Sequence, residues 1–243
     1  MAHSILITGA SAGIGRAVAE RFLAEGWWVG LVARRAALLE EVAAGHARAV
    51  VLPADVTDAA AVDRVFAAFA ARAGRLDVVF NNAGIFTPAA PIDEIPLEDW
   101  RRALAVNLDA MFLCARAAFG QMRRQNPQGG RIINNGSLSA HSPREGSASY
   151  TTTKHAITGL TKTLSLDGRP FGIAAGQIDI GNARTELLQG IIDRAVAAGE
   201  TPPPVMDVKE VVDAVWLMAT LPPEANVPFM TIMATTMPYI GRG

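Results

Sequence analysis

Short, uniformly apolar runs alternate along the chain with longer segments whose apolar residues recur at helical spacing. Ile5 to Thr8 is such a run, bounded by a glycine turn, and Ile14 to Ala24 follows at helical spacing until Gly26 ends it. The pattern repeats as strand Trp27 to Val32, helix Leu38 to Ala44 closed by Gly45, strand Ala49 to Leu52, helix Ala59 to Ala73 stopped by Gly74, and strand Leu76 to Phe80. Leu97 to Arg123 is long enough for a bent helix or two consecutive ones. Arg131 to Asn134 is a fifth strand, Ser149 to Leu166 a helix, Phe171 to Ile178 a sixth strand and Val227 to Thr236 a last one. Strands without polar alternation are buried on both faces, and strands alternating with helices need crossovers, so the expected fold is doubly wound α/β. Its sheet should be mostly parallel, of about seven strands, with helices on both faces. No linker or repeat divides the chain, and the proline-rich stretch Thr201 to Val205 reads as a loop, so residues 1–243 are expected to form a single domain.

The first turn carries the first chemistry. Thr8-Gly9-Ala10-Ser11-Ala12-Gly13-Ile14-Gly15 lies between strand and helix, where a dinucleotide pyrophosphate meets the N–H groups of a helix start. Gly9, Gly13 and Gly15 permit close backbone approach, and their G-x-x-x-G-x-G spacing differs from the commoner G-x-G-x-x-G. The fold is thus Rossmann-type, with Gly9, Ser11, Gly13, Ile14 and Gly15 expected at a dinucleotide. A carboxylate at the end of the second strand would accept from both ribose hydroxyls and select NAD. The chain has Leu31-Val32-Ala33-Arg34-Arg35 there instead. Guanidinium groups match phosphate geometry, so NADP(H) is expected in preference to NAD(H). Arg34 is the first choice for the 2'-phosphate contact and Arg35 the second, the alternative being two solvated arginines at a helix start.

Tyr150-Thr151-Thr152-Thr153-Lys154 places a phenol and an ammonium four apart on one helix, where side chains share a face. A phenol with a pKa near 10 is a poor base at neutral pH, and positive charge from Lys154 and an oxidised nicotinamide favours the phenolate. Tyr150 then becomes a proton donor and acceptor for a carbonyl or alcohol. Ser137 follows the fifth strand, thirteen positions before Tyr150, and Asn107 sits in the long helix within Val106-Asn107-Leu108. Asn81-Asn82-Ala83-Gly84 ends the fourth strand.

In order and spacing these motifs, with the glycine turn, resemble the short single-domain type of short-chain dehydrogenases/reductases over essentially the whole chain. The resemblance implies that Ser137 hydrogen-bonds the substrate oxygen, Tyr150 exchanges a proton with it, and Lys154 holds the nicotinamide ribose while tuning the tyrosine. It implies that Asn107 supports a water continuing the proton path. It places Asn82, Ala83 and Gly84 along the cofactor and Asp55-Val56 at the adenine ring. Taken individually, Asn107 could be a buried polar bond and Asp55 a helix cap. The chain departs from the family at Ile180-Gly181-Asn182-Ala183-Arg184-Thr185, where Ile180 replaces a proline and Ala183 a branched apolar residue. Gly181, Ala183 and Thr185 are still expected to meet the nicotinamide end. The family's terminal Asp-Gly-Gly is absent, and Met237-Pro238-Tyr239-Ile240-Gly241-Arg242-Gly243 stands in its place. Family members commonly pack this region against a neighbouring subunit, so a homo-oligomer, tetramer or dimer, is expected.

Composition narrows the alternatives. Apolar residues make up 50% of the 243 and charged ones 19%, which suits a packed core and argues against disorder. A net charge of -1 gives no field to gather nucleic acid or anionic lipid. The single cysteine, Cys114, reads as an ordinary core residue. Met1-Ala2-His3-Ser4 lacks a secretory start, and no segment has the roughly 18 uninterrupted apolar residues of a membrane span, so a soluble, cytoplasmic protein is expected. The four histidines show no ligand spacing, so no metal is expected. His141 reads as a surface-loop histidine, with substrate contact as the alternative. A lid is expected around 182–208, from Glu186 to Val208 in its main part. There Leu187, Leu188, Ile191 and Ile192 point to a largely hydrophobic pocket for a small carbonyl or alcohol: a ketone, quinone-like, steroid-like or acyl substrate. An NAD-preferring dehydrogenase of the same family and a non-catalytic dinucleotide-binding regulator are the rival readings.

Overall fold

The computed structural model describes residues 3–240, the side chain of Leu187 excepted. The end of the tail, residues 241–243, and the lid side chain expected at Leu187 lie outside what is described. Strands β1 (Ser4–Thr8), β2 (Trp28–Ala33), β3 (Ala49–Pro53), β4 (Val78–Asn81), β5 (Gly130–Asn135), β6 (Ile173–Ile180) and β7 (Phe229–Ile232) form one sheet in the order β3-β2-β1-β4-β5-β6-β7. All neighbours are parallel. Around it lie α1 (Gly13–Ala24), α2 (Ala36–Ala43), α3 (Ala59–Ala73), α4 (Leu97–Leu104), α5 (Ala110–Arg124), α6 (Ala148–Gly168), α7 (Glu186–Ala197) and α8 (Val208–Thr220). The doubly wound α/β expectation holds.

The strands lack polar alternation because both sheet faces are covered. Ile5 and Ile7 of β1 join Val18, Phe22 and Val215 on one side. Leu6 between them joins Val65, Phe69 and Cys114 on the other. Cys114 is 1% exposed and burial pushes its thiol up to about 12, so it is an inert core residue.

Several elements differ from expectation. β7 covers only Phe229–Ile232 of the expected Val227 to Thr236, because its pairing with β6 runs only from Gln177 to Ile180, and the expected lid carries helix α7. β6 starts at Ile173, not Phe171, because Arg169–Phe171 closes a 3-10 turn and Gly172 takes a left-handed φ of 63°. Helix α8 was not anticipated, although Asp207 caps it by accepting from the Lys209 N–H at 2.8 Å. It buries Val211, Val212, Val215 and Met218, and Trp216 meets Phe22 at 4.9 Å and Trp27 at 5.8 Å.

The long helix neither breaks nor divides in two. α4 passes through a π-helical segment, Ala105–Asp109, straight into α5. Among the described residues this 28-residue helix is the one long and apolar enough to cross a membrane by length and composition. Here Ala103, Ala110, Met111, Ala118 and Met122 are instead buried in the core. Such π-helical turns put an extra residue into the helix and occur often at functional sites. Asn107 lies in this one. Strand order reverses between β1 and β4, so the crevice that accepts ligands in open parallel sheets opens at the carboxyl ends of these strands.

Candidate active site

The glycine turn leaves β1 with Gly9 at φ 69° and Gly13 at φ 55°, both in the left-handed region that side chains resist. A Cβ on Gly9 would lie 3.0 Å from Asn82 Nδ2 and 3.1 Å from Ala83 Cα, so the turn is packed directly on the chain leaving β4. Thr8 fastens the two together, since its Oγ1 accepts from the Asn82 and Ala83 N–H groups, each at 2.9 Å. Helix α1 starts at Gly13 with no side-chain cap at Ala12 and no acidic residue in its first turn. Its first N–H groups are therefore free of side-chain competition for an anion. This fits a dinucleotide pyrophosphate. Arg35, the residue before α2, donates from Nη2 to Ser11 Oγ at 3.1 Å, while Arg34 acts electrostatically on Asp55.

The carboxyl ends of β4 and β5 are tied by amides. Asn81 Nδ2 donates to the Met111 carbonyl at 2.7 Å, Asn135 Nδ2 to Asn82 Oδ1 at 2.8 Å, and Asn82 Nδ2 to the Thr8 carbonyl at 2.9 Å. Lys154, 3% exposed on α6, donates from Nζ to the Asn135 carbonyl at 2.7 Å. Burial brings its ammonium down to about 8, with Asp179 acting in the opposite sense. The same Nζ stands 5.5 Å from the centre of the Tyr150 ring. Burial is also the largest influence on Tyr150 and raises the phenol above its ordinary value; the Ser137 hydroxyl and Arg144 pull it down, and Asp179 adds to the rise. The expected lowering by Lys154 is therefore not what governs this phenol. Ser137 Oγ accepts from the Ser139 N–H at 3.1 Å, and its own proton is still available to donate.

Asn107 is fully buried and its amide is taken up by one partner. Oδ1 accepts from the Ile85 N–H at 2.7 Å and Nδ2 donates to the Ile85 carbonyl at 2.9 Å. The next residue, Phe86, stacks on Tyr150 with ring centres 4.6 Å apart. Asn107 thus sets the path of the segment that places an aromatic wall beside the phenol. Asn107→Ala is expected to lose about 1 to 3 kcal/mol through the stranded Ile85 groups, read as a lower melting temperature.

A family model described as short chain dehydrogenase matches residues 3–195. The chain belongs to the short-chain dehydrogenase/reductase family. This short-chain dehydrogenase/reductase is 33% identical over 189 residues to a 3beta-hydroxysteroid dehydrogenase of Mediterraneibacter gnavus, covering 76% of this chain and 67% of the relative. Its fold matches a 3-ketoacyl-(acyl-carrier-protein) reductase from Brucella melitensis complexed with NADH, with a TM-score of 0.85 and 25% identity over 95% of this chain and 96% of that one. The closed form of a serine dehydrogenase complexed with NADP+ gives a TM-score of 0.89 and 26% identity over 99% and 98%. The protein is accordingly an oxidoreductase acting on CH–OH or C=O groups with a nicotinamide dinucleotide.

Elsewhere in this short-chain dehydrogenase/reductase, Asp55 stands just past β3, and its Oδ1 accepts from the Thr57 N–H at 2.9 Å and hydroxyl at 2.8 Å. These bonds, with Arg34, hold its carboxyl below the usual range. The cap of α3 is Asp58, which accepts from the Ala60 N–H at 2.9 Å. Val56 is half-buried beside Asp55. Thr185 caps α7, and its methyl would be 3.5 Å from a Cβ on Gly13, so the base of the lid sits at the glycine turn. Ala183 bridges to Met206 across the lid, and a Cβ on Gly181 would strike Met233 at 2.8 Å. On α7, Leu188 and Ile192 are half-buried and Ile191 is 40% exposed.

One site residue escaped the sequence reading. Asp179, in β6, is buried, and its Oδ2 lies 2.8 Å from His141 Nε2. His141 is thus engaged with the site's carboxylate and is no isolated loop histidine. A carboxylate inside a strand covered on both faces was the available signal, since buried charge needs partners.

Proposed function

We propose that this single-domain enzyme transfers a hydride between NADP(H) and a carbonyl or secondary alcohol, with Tyr150 as general acid and base. The observation that carries the reading is the convergence of Ser137, Tyr150 and Lys154 at the carboxyl end of β5, beside the crevice where the uncapped start of α1 awaits an anion. NADP(H), when bound, supplies or accepts the hydride at its nicotinamide ring.

The chain's own groups divide the remaining work. Ser137 offers its hydroxyl proton to the substrate oxygen while its Oγ accepts from the Ser139 N–H. Tyr150, kept neutral by burial, suits donation to an alkoxide forming in carbonyl reduction. Lys154, anchored on Asn135, holds the nicotinamide ribose. Asn107 holds Ile85 and Phe86, so a water on the proton path would meet its backbone in the π-helical turn. Gly9, Ser11, Gly13, Ile14, Gly15, Asn82, Ala83 and Gly84 line the dinucleotide, Asp55 and Val56 the adenine, and Gly181, Ala183 and Thr185 the nicotinamide end. The same reading makes it cytoplasmic and a homo-oligomer, and the oligomer alone is supported by Phe112 on α5 and Leu166 on α6, which are 51% and 57% exposed.

Preference for NADP(H) rests on Arg35 more than on Arg34. Arg35 already spans from β2 to Ser11 in the glycine turn, so its guanidinium borders the adenosine ribose site. A charge-assisted bond to the 2'-phosphate contributes about 1.5 to 3 kcal/mol, a ten- to hundredfold effect. Arg35→Ala should therefore raise the NADPH KM about ten- to hundredfold while leaving the NADH KM within about twofold. A carbonyl and alcohol panel followed by NADPH absorbance, with NADH alongside, tests the function itself. Failure to turn over any member despite tight NADPH binding would leave a dinucleotide-binding regulator.

A further inference from the structure

β4 and β5 run together as far as Asn81 beside Asn134 and then part. The Arg131 N–H donates to the Asp77 carbonyl at 2.8 Å, and stepping that parallel pattern forward by twos would pair the Asn135 carbonyl with the Ala83 N–H. That N–H is taken elsewhere. Like the N–H of Asn82 it goes to Thr8 Oγ1, at 2.9 Å, which draws the chain leaving β4 toward the glycine turn. The Asn135 carbonyl is thus released from the ladder, and Lys154 Nζ takes it at 2.7 Å.

The side chain of the same residue spans the gap. Asn135 Nδ2 donates to Asn82 Oδ1 at 2.8 Å, and Asn82 Nδ2 donates in turn to the Thr8 carbonyl at 2.9 Å. A Cβ on Gly9 would lie 3.0 Å from that Asn82 nitrogen and one on Gly15 2.6 Å from it, so the amide rests on the turn itself. Its direction is settled as well: with Nδ2 committed to a carbonyl, Asn82 presents Oδ1 to Asn135, and Asn135 must answer with its NH2 group. On the other side the backbone is fixed to β6, where the Gly136 N–H donates to the Ile178 carbonyl at 2.8 Å.

We propose that Asn135 is a positioning residue for the cofactor: its amide holds Asn82 and its carbonyl holds Lys154, so one residue fixes the glycine turn relative to the Lys154 ammonium. A dinucleotide resting its pyrophosphate on the turn and its nicotinamide ribose on Lys154 then finds both places set before it binds. This rests on the cofactor contacts in the reading above.

The test compares ligands that span both places with fragments that reach only the turn: NADP+ with adenosine 2',5'-bisphosphate, and NAD+ with ADP. Calorimetry on the parent should give tighter binding of the dinucleotide in at least one pair. Asn135→Leu keeps the outline of the side chain and removes its donor. It should weaken that dinucleotide about three- to tenfold, the loss of one hydrogen bond, and the fragment less than about twofold. Asn135→Ala adds no apolar bulk and should give the same split, which keeps the test open where the leucine variant fails to fold. With a carbonyl that the parent reduces, both variants should raise the NADPH KM about three- to tenfold and lower kcat, with the carbonyl KM within about twofold. Equal weakening of dinucleotide and fragment, which a general loosening of the turn would give, or unchanged binding of both, would overturn the proposal. A parent that binds neither dinucleotide overturns the cofactor reading itself, and this proposal with it. A parent that binds one without turnover removes hydride transfer alone, and the calorimetric split still decides the role of Asn135.

Discussion

Tyr150→Phe should reduce carbonyl substrates about a hundred- to ten-thousand-fold more slowly than the parent, the range for loss of a positioned general acid. Each factor of ten corresponds to about 1.4 kcal/mol of barrier, so the loss amounts to about 3 to 5 kcal/mol. The substitution is clean because the ring does structural work that phenylalanine can continue. It stacks on Phe86 at 4.6 Å, and Lys154 Nζ stays 5.5 Å from its centre, bonded to Asn135. NADPH binding, followed by cofactor fluorescence, should therefore change less than about twofold. Retention of the parent rate would remove the proton role from Tyr150. The parent's pH profile gives a second reading. Burial lowers Lys154 to about 8, so its ammonium persists below that pH and is lost as pH rises through it. If the ammonium supports the proton path, reduction falls along that limb.

Much of this architecture could be read from the chain because each signal was local. Parallel strands covered on both faces show as apolar runs such as Ile5 to Thr8, and the glycine turn announces itself by spacing alone. Helix α8 was equally local, with apolar residues at Val208, Val211, Val212, Val215 and Met218 behind an Asp207 cap. The proline-rich stretch Thr201 to Val205 just before it masks its start, because prolines read as loop. The π-helical turn at Asn107 had no such trace, since it arises where the helix accommodates the Ile85 segment. Asp179 and His141 depended on register. Pairing of Asn135 with Ile178 sets the residues after β5 beside the end of β6, and only this brings a carboxylate 42 positions away to the Ser137 amide. The ordering of Arg34 before Arg35 likewise could not foresee that Arg35 turns back to Ser11.

Two glycine-to-alanine substitutions should act in opposite directions, and the contrast isolates the glycine turn. A Cβ on Gly15 would lie 2.3 Å from the Gly9 carbonyl oxygen and 2.6 Å from Asn82 Nδ2. The first of these is backbone, so relief requires the turn itself to move away from β4. Overpacking of this kind costs about 1 to 3 kcal/mol, a fall in Tm of about 2 to 12 °C at 2 to 4 °C per kcal/mol for a chain of this size. The same displacement takes the first N–H groups of α1 away from the pyrophosphate, so NADPH affinity should fall about a hundredfold or more, comparable to losing two charge-assisted bonds. On α6, a Cβ added to Gly159 meets nothing within 4 Å. There alanine only restricts the unfolded chain and favours the helix, raising stability by about 0.5 to 1 kcal/mol with cofactor affinity unchanged. Thermal melts and fluorescence titrations of the two variants side by side decide the matter. Tight NADPH binding by Gly15→Ala would mean that the dinucleotide does not rest on this turn.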